Sequence, residues 1–154
     1  MTAKVNEKFI CIVPQSGYRL AMFEPMATER LLALDVPDDR LGEAIQDALA
    51  ESRFLSLEEA NALRLTADSH YAEWVHSLME RYEYGSKQAL FKKMKSCSIV
   101  ISDEEMVLSP SHHDRLDGWS RTRGDGIEDV IIPSDSSLIQ IGAALRVAFM
   151  RCTG

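Results

Sequence analysis

Apolar residues recur at helical three-and-four spacing in three stretches of this 154-residue chain. In the first, Leu41, Ala44, Ile45, Ala48 and Leu49 form an inward face. Pro37, Asp38 and Asp39 announce that helix, because a capping carboxylate accepts hydrogen bonds from the free N–H groups of the first turn and suits the dipole. The second stretch, Ala60, Leu63, Ala67, Tyr71, Trp74, Leu78 and Tyr82, follows Ser56 and Glu59, which read as a capping box. It should stop before Gly85, with Thr66 as a candidate break. Ser86 opens a shorter helix that ends near Met94 and contributes Ala89, Leu90 and Phe91. Ser134, Asp135 and Ser136 cap a last helix with a core stripe of Leu138, Ile141, Leu145, Ala148, Phe149 and Cys152. Gly142 inside it costs about 1 kcal/mol relative to alanine, so a neighbour should pack closely against its backbone.

Between and around these helices the pattern is that of strands. Residues 9–13 and 18–23 are rich in β-formers, and Pro14, Gln15, Ser16 and Gly17 between them read as a hairpin loop. The segment over 31–36, after Pro25, suits either a strand or a loop. Residues 98–101 and 106–108 flank the acidic turn Asp103, Glu104, Glu105, and 130–132 form a further strand ended by Pro133. Strands at both ends of a helical middle, without regular alternation, predict a single α+β domain over residues 1–154. Its mixed or antiparallel sheet comes from the N- and C-terminal strands and packs against several helices. A chain of this length buries roughly 70% of its unfolded surface and needs no staples.

Charge adds a polarity to this picture. Asp39, Glu43, Asp47 and Glu51 recur every four residues on the first helix and predict one unbroken negative stripe. Like charges at that spacing repel by roughly 0.2 to 0.5 kcal/mol per pair, so the stripe weakens its own helix. A solvated face is the plain reading, and a basic partner is the functional one. Residues 35–51 hold six acids and one base, Arg40, within a formal net charge of -7. The run 87–95 is the opposite, with Lys87, Lys92, Lys93 and Lys95 and no acid. Overall acidity argues against nonspecific nucleic-acid binding and favours a basic protein partner. An RNA-binding module built on those lysines with Arg121 and Arg123 ranks last for the same reason.

No catalytic centre assembles from the sequence. It holds no phosphate loop, dinucleotide fingerprint, paired CxxC or HExxH motif. The best rival is a small enzyme or metal-binding protein using His112, His113 and Asp114, with Ser109 or Ser111 nearby and His70 and His76 on the second helix. Adjacent histidines point different ways in most backbones, so no metal, cofactor or catalytic residue is assigned. Cys11, Cys97 and Cys152 are odd in number and lie among apolar neighbours, which suits small core residues in a reducing compartment. Trp74 belongs to a core stripe, whereas Trp119 lies in a polar run and suits either the edge of the core or an interface. The apolar run 9–13 is too short for a signal peptide or a membrane span, so the cytoplasm is expected, with no membrane partner.

The run Phe91, Lys92, Lys93, Met94, Lys95, Ser96, Cys97, then Leu108, Ser109, Pro110, Ser111, His112, His113, Asp114, Arg115, Leu116, then Trp119, resembles the immunity proteins of bacterial contact-dependent growth inhibition. The ending, Asp129 to Pro133, then Ile141, Gly142, Ala143, Ala144, Leu145, Arg146, with Arg151 and Cys152, is similar to theirs too. The resemblance spans roughly residues 40–152. It implies a non-enzymatic protein, monomer or homodimer, that blocks in the cytoplasm the toxin domain carried at the C-terminal end of a neighbouring cell's surface effector. Such toxins are commonly nucleases with basic clefts. On that implication Asp39, Glu43, Asp47 and Glu51 are the expected toxin contacts, with Asp103, Glu104 and Glu105 as a second acidic patch.

Overall fold

The computed structural model describes residues 1–18, 20–24 and 27–154. In chain order its elements are β1 (Thr2–Val5), β2 (Ile10–Val13), β3 (Gln15–Gly17), β4 (Ala21–Phe23), β5 (Arg30–Leu32), α1 (Asp38–Glu51) and α2 (Leu57–Arg81). There follow α3 (Lys87–Phe91), β6 (Lys95–Ser102), β7 (Glu105–Pro110), β8 (His112–Arg115), β9 (Gly118–Ser120), β10 (Val130–Pro133) and α4 (Leu138–Arg151). The main sheet has six strands in the order β10-β7-β6-β1-β2-β5, and all its pairings are antiparallel. This is the α+β architecture that strands at both ends of a helical middle predict, with N-terminal strands joined to C-terminal ones through the β1–β6 pair.

The two faces of the sheet look onto two cores, and β2 sends alternate residues to both. On one face, Ala3, Ile10, Ile12, Cys97, Ile99 and Leu108 pack with Leu41 and Ile45 of α1 and with Ile141 and Leu145 of α4. On the other face, Cys11 and Val13 pack with Trp74, Val75 and Leu78 of α2 and with Leu90 and Phe91 of α3. All three cysteines are buried and unpaired. Burial pushes the Cys11 and Cys97 thiols up, which keeps them protonated.

The N-terminal strands differ from the expected hairpin. Gln15 to Gly17 is itself a strand, paired with Ala21 to Phe23 in a separate two-stranded sheet, so the turn moves past Gly17. A Cβ on Gly17 would stand 2.0 Å from the Leu20 carbonyl oxygen, which explains why glycine opens that turn. β2 pairs instead with β1, which periodicity does not reveal, and with β5, the first part of the ambiguous segment. Residue 19 of the expected 18–23 strand, and Pro25, lie outside the described residues.

Two caps also move. Pro37 is the N-cap of α1 and offers no side-chain bond; Asp38 instead accepts from Arg146 Nε of α4 at 2.7 Å. Ser137, not the Ser134 to Ser136 run, caps α4 through a reciprocal box with Gln140. The Ser56 and Glu59 box holds as expected, and α2 runs unbroken through Thr66 to Arg81. α3 ends at Phe91 rather than Met94. His112 and its neighbours form a strand of the β8–β9 hairpin.

Candidate functional site

The acidic stripe follows directly from the helical period of α1. Asp39, Glu43 and Asp47 are exposed and Glu51 is half-buried. The stripe is not unbroken. Arg30 of β5 reaches across to it, with Nη2 2.6 Å from Glu51 Oε1 and Nε 4.0 Å from Asp47 Oδ2. The bond from Arg30 holds the Glu51 carboxyl below its ordinary range. Arg40 lies 2.7 Å from Glu43. Four carboxylates therefore face two guanidiniums, and the ridge stays negative while its repulsion is relieved. Arg30 escapes a sequence reading because it comes from another element.

Asp103, Glu104 and Glu105 sit at the tight β6–β7 turn and are all exposed. Asp103 adopts a φ of 56°, and the Glu104 carbonyl accepts from the Ser134 N–H at 2.8 Å. Between β6 and the last turn of α1 lies a groove of about 350 Å³, lined among others by Leu49, Ser52, Ile99 and Ile101. Tyr18, Leu20 and Phe54 form its other wall, and Phe54 is 96% exposed. Exposed apolar side chains gathered along a groove are the chemistry of an interface. Sequence reasoning misses Phe54 because it stands between two helices, outside any periodic run.

A larger cavity of about 570 Å³ opens on the α2 side of the sheet, lined among others by Lys4, Ser96, Tyr71, Trp74 and Trp119. Trp119 covers the edge of the second core. Its Nε1 donates to the Met94 carbonyl at 2.9 Å, it stacks on His113 at 5.0 Å, and the Lys4 Nζ lies 3.5 Å from its ring centroid. Lys4 is displaced downward to a pKa of about 8 by burial.

The remaining candidates resolve into structural roles. His112 Nδ1 lies 2.9 Å from Thr153 Oγ1, and His113 Nε2 lies 3.1 Å from the Leu116 carbonyl oxygen. Asp114 accepts from the Ser120 hydroxyl at 2.9 Å, so the three are spent on the hairpin and the chain end. Among the described residues no group of three or more His, Cys, Asp or Glu could hold a metal ion. The lysine run is divided: Lys87 pairs with Asp117 at 2.6 Å and Lys95 donates to the Phe149 carbonyl at 3.0 Å. Arg121 binds Asp125 and Asp129 and orders the following loop, which removes it from any RNA surface. Among the described residues no helix is long and apolar enough to cross a membrane.

Residues 1–152 match the family CdiI, CDI immunity protein. A curated relative, immunity protein CdiI-YPIII of Yersinia pseudotuberculosis serotype O:3 (strain YPIII), is 38% identical over 167 residues, spanning 99% of this chain and 94% of the relative. A chain of the CdiA-CT/CdiI toxin and immunity complex from Yersinia pseudotuberculosis superposes with a TM-score of 0.89 at 36% identity, covering 99% of this chain and 95% of that one. A protein of unknown function, NMB0488 from Neisseria meningitidis, superposes with a TM-score of 0.87 at 31% identity, covering 98% of this chain and 93% of that one. With residues 1–152 matched by the family and 99% of the chain by a curated relative at 38% identity, the chain belongs to the CDI immunity protein family.

Proposed function

We propose that this chain, acting as one domain in the cytoplasm, binds and neutralises a cognate toxin domain delivered by contact-dependent growth inhibition. The observation that carries this reading is its likeness, over 99% of its length, to a chain of a toxin and immunity complex. The role is that of an inhibitor, not an enzyme. The acidic ridge of Asp39, Glu43, Asp47 and Glu51 and the Asp103, Glu104, Glu105 turn are the proposed toxin contacts, with Phe54 and Leu20 as apolar anchors beside them. A nuclease toxin must hold an anionic backbone and so carries a basic cleft. Carboxylates presented in a row mimic that backbone, and opposite charge speeds encounter.

Survival of cells expressing the toxin domain encoded immediately upstream, with and without this protein, tests the reading together with the affinity of the purified pair. Protection with nanomolar or tighter binding is the expected result. No protection and no binding would overturn it.

A further inference from the structure

The sheet face turned toward α2 is apolar where that helix covers it and polar where it does not. On β2, Cys11 and Val13 pack beneath Trp74 and Leu78. On the adjoining β1 and β6, the positions in register on the same face are Thr2, Lys4, Ser96 and Ser98, and all four line the 570 Å³ cavity. Their neighbours facing the opposite way, Ala3, Cys97 and Ile99, are fully buried in the first core. Two central strands thus keep one face for the core and give the other an ammonium and three hydroxyls.

Lys4 is the cation at the centre of that face. Its Nζ donates to Ser96 Oγ at 3.2 Å and lies over the Trp119 ring. An ammonium has three donors, so these contacts leave it able to bind an acceptor from the cavity. The acid beside it, Asp117, is already taken, accepting from Lys87 at 2.6 Å and from the Tyr71 hydroxyl at 2.5 Å. Among the described residues Lys4 forms no ion pair. A lysine in a central strand with its head toward aromatic walls costs stability through desolvation, a cost that a paired anion offsets.

We infer that this cavity receives one carboxylate side chain, an Asp or Glu of the toxin, against Lys4 Nζ, with the Ser96 and Ser98 hydroxyls beside it. A single ammonium balances a single negative charge, which favours a carboxylate over a phosphate dianion. Asp68 on the rim and the acidity of the whole chain further disfavour a polyanion. The inference rests on the immunity reading and deepens it. A toxin must then offer an acidic side chain to Lys4, and that requirement rejects partners that are merely basic.

The test compares toxin binding by the wild type with that of Lys4→Met and Lys4→Gln, alongside their thermal midpoints. The expected result is an affinity about 10- to 100-fold weaker for both variants, the loss that follows from one charge-assisted bond, with midpoints equal to or above the wild type. A merely structural lysine would lower the midpoint instead. Reversing the toxin's Asp and Glu residues to Lys one at a time should find one reversal that restores binding to Lys4→Glu. Tight wild-type binding with both neutral variants within twofold of it, or no rescuing reversal, overturns this inference alone. Failure of the wild type to bind overturns it together with the immunity reading.

Discussion

Gly42 and Gly142 each press against the backbone of the helix that carries the other. A Cβ on Gly42 would stand 2.0 Å from the Leu138 carbonyl oxygen, and one on Gly142 2.0 Å from that of Asp38. The contact brings the α1 and α4 backbones together, and Arg146 locks it by bonding Asp38 and the Leu34 and Val36 carbonyls. Because the obstacle in each case is backbone, neither site can yield by rotating a side chain. Gly42→Ala or Gly142→Ala is expected to destabilise the fold by about 2 to 3 kcal/mol, despite alanine's better helix propensity. Chemical denaturation measures this, and a loss below about 0.5 kcal/mol would show that the helices separate freely. The two together should cost less than their sum, since the first alanine already parts the helices.

Reversing Glu43 and Asp47 to Lys should slow toxin association about tenfold or more at low ionic strength, with the difference shrinking as salt is added. Both side chains are exposed, so the thermal midpoint should scarcely move; the Arg40–Glu43 pair is a surface bridge of small worth. Stopped-flow mixing at two salt concentrations separates the outcomes. Unchanged association kinetics would remove the ridge from the interface.

Ser137→Ala should cost about 1 kcal/mol, because its hydroxyl accepts the Gln140 N–H and the Gln140 side chain accepts from its own N–H. Asp135→Ala, on the side chain the sequence nominates as a cap, should change stability by no more than about 0.3 kcal/mol. Equal losses from the two would return the cap to the earlier run.

Lys4 gives stability a pH signature of known sign. Burial lowers its folded pKa to about 8, against 10.5 in an ordinary setting, while Cys11 and Asp117 oppose the shift. Between those values the unfolded chain holds more protons than the folded one, so stability rises with pH there. Below pH 8 the lysine is charged in both states and the burial cost is present in full. Tyr71, Tyr84, Cys11 and Cys97 have raised folded pKa values and act in the opposite direction once their unfolded forms ionise. The readout is therefore the wild type minus Lys4→Met, measured by denaturation from pH 7 to 10. That difference should climb toward zero as pH rises; a flat difference would show that Lys4 is well solvated.

What the sequence discloses is governed by the range of the interactions that decide each feature. The period of α1 and the Ser56 and Glu59 box are local and read correctly; the glycine inside the α4 pattern signals a close approach, but its partner Asp38 lies on a distant helix and is not legible. The β1 strand is not legible, because Thr2 to Val5 are half polar by design of their second face and their partners lie at residues 10–13 and 95–98. The ridge is legible as a spacing of carboxylates, but its partial neutralisation by Arg30 is not, since nothing local ties residue 30 to residue 51. Lys4 and Phe54 are silent for the same reason: a cavity and a groove exist only once distant strands meet.

The β1–β6 pairing sets when the protein can exist at all. Thr2 lies opposite Ser98, and β1 is an interior strand of the sheet, so during synthesis β1 waits for almost a hundred more residues before gaining that neighbour. β7 and β10 then add to β6 from still later in the chain, and α4 seals the first core last of all. Non-local pairing of this kind delays folding until the distant strand is made. A half-made chain therefore presents neither the seated α1 ridge nor the closed Lys4 cavity, and resistance should lag synthesis by the time needed to finish and fold the whole molecule.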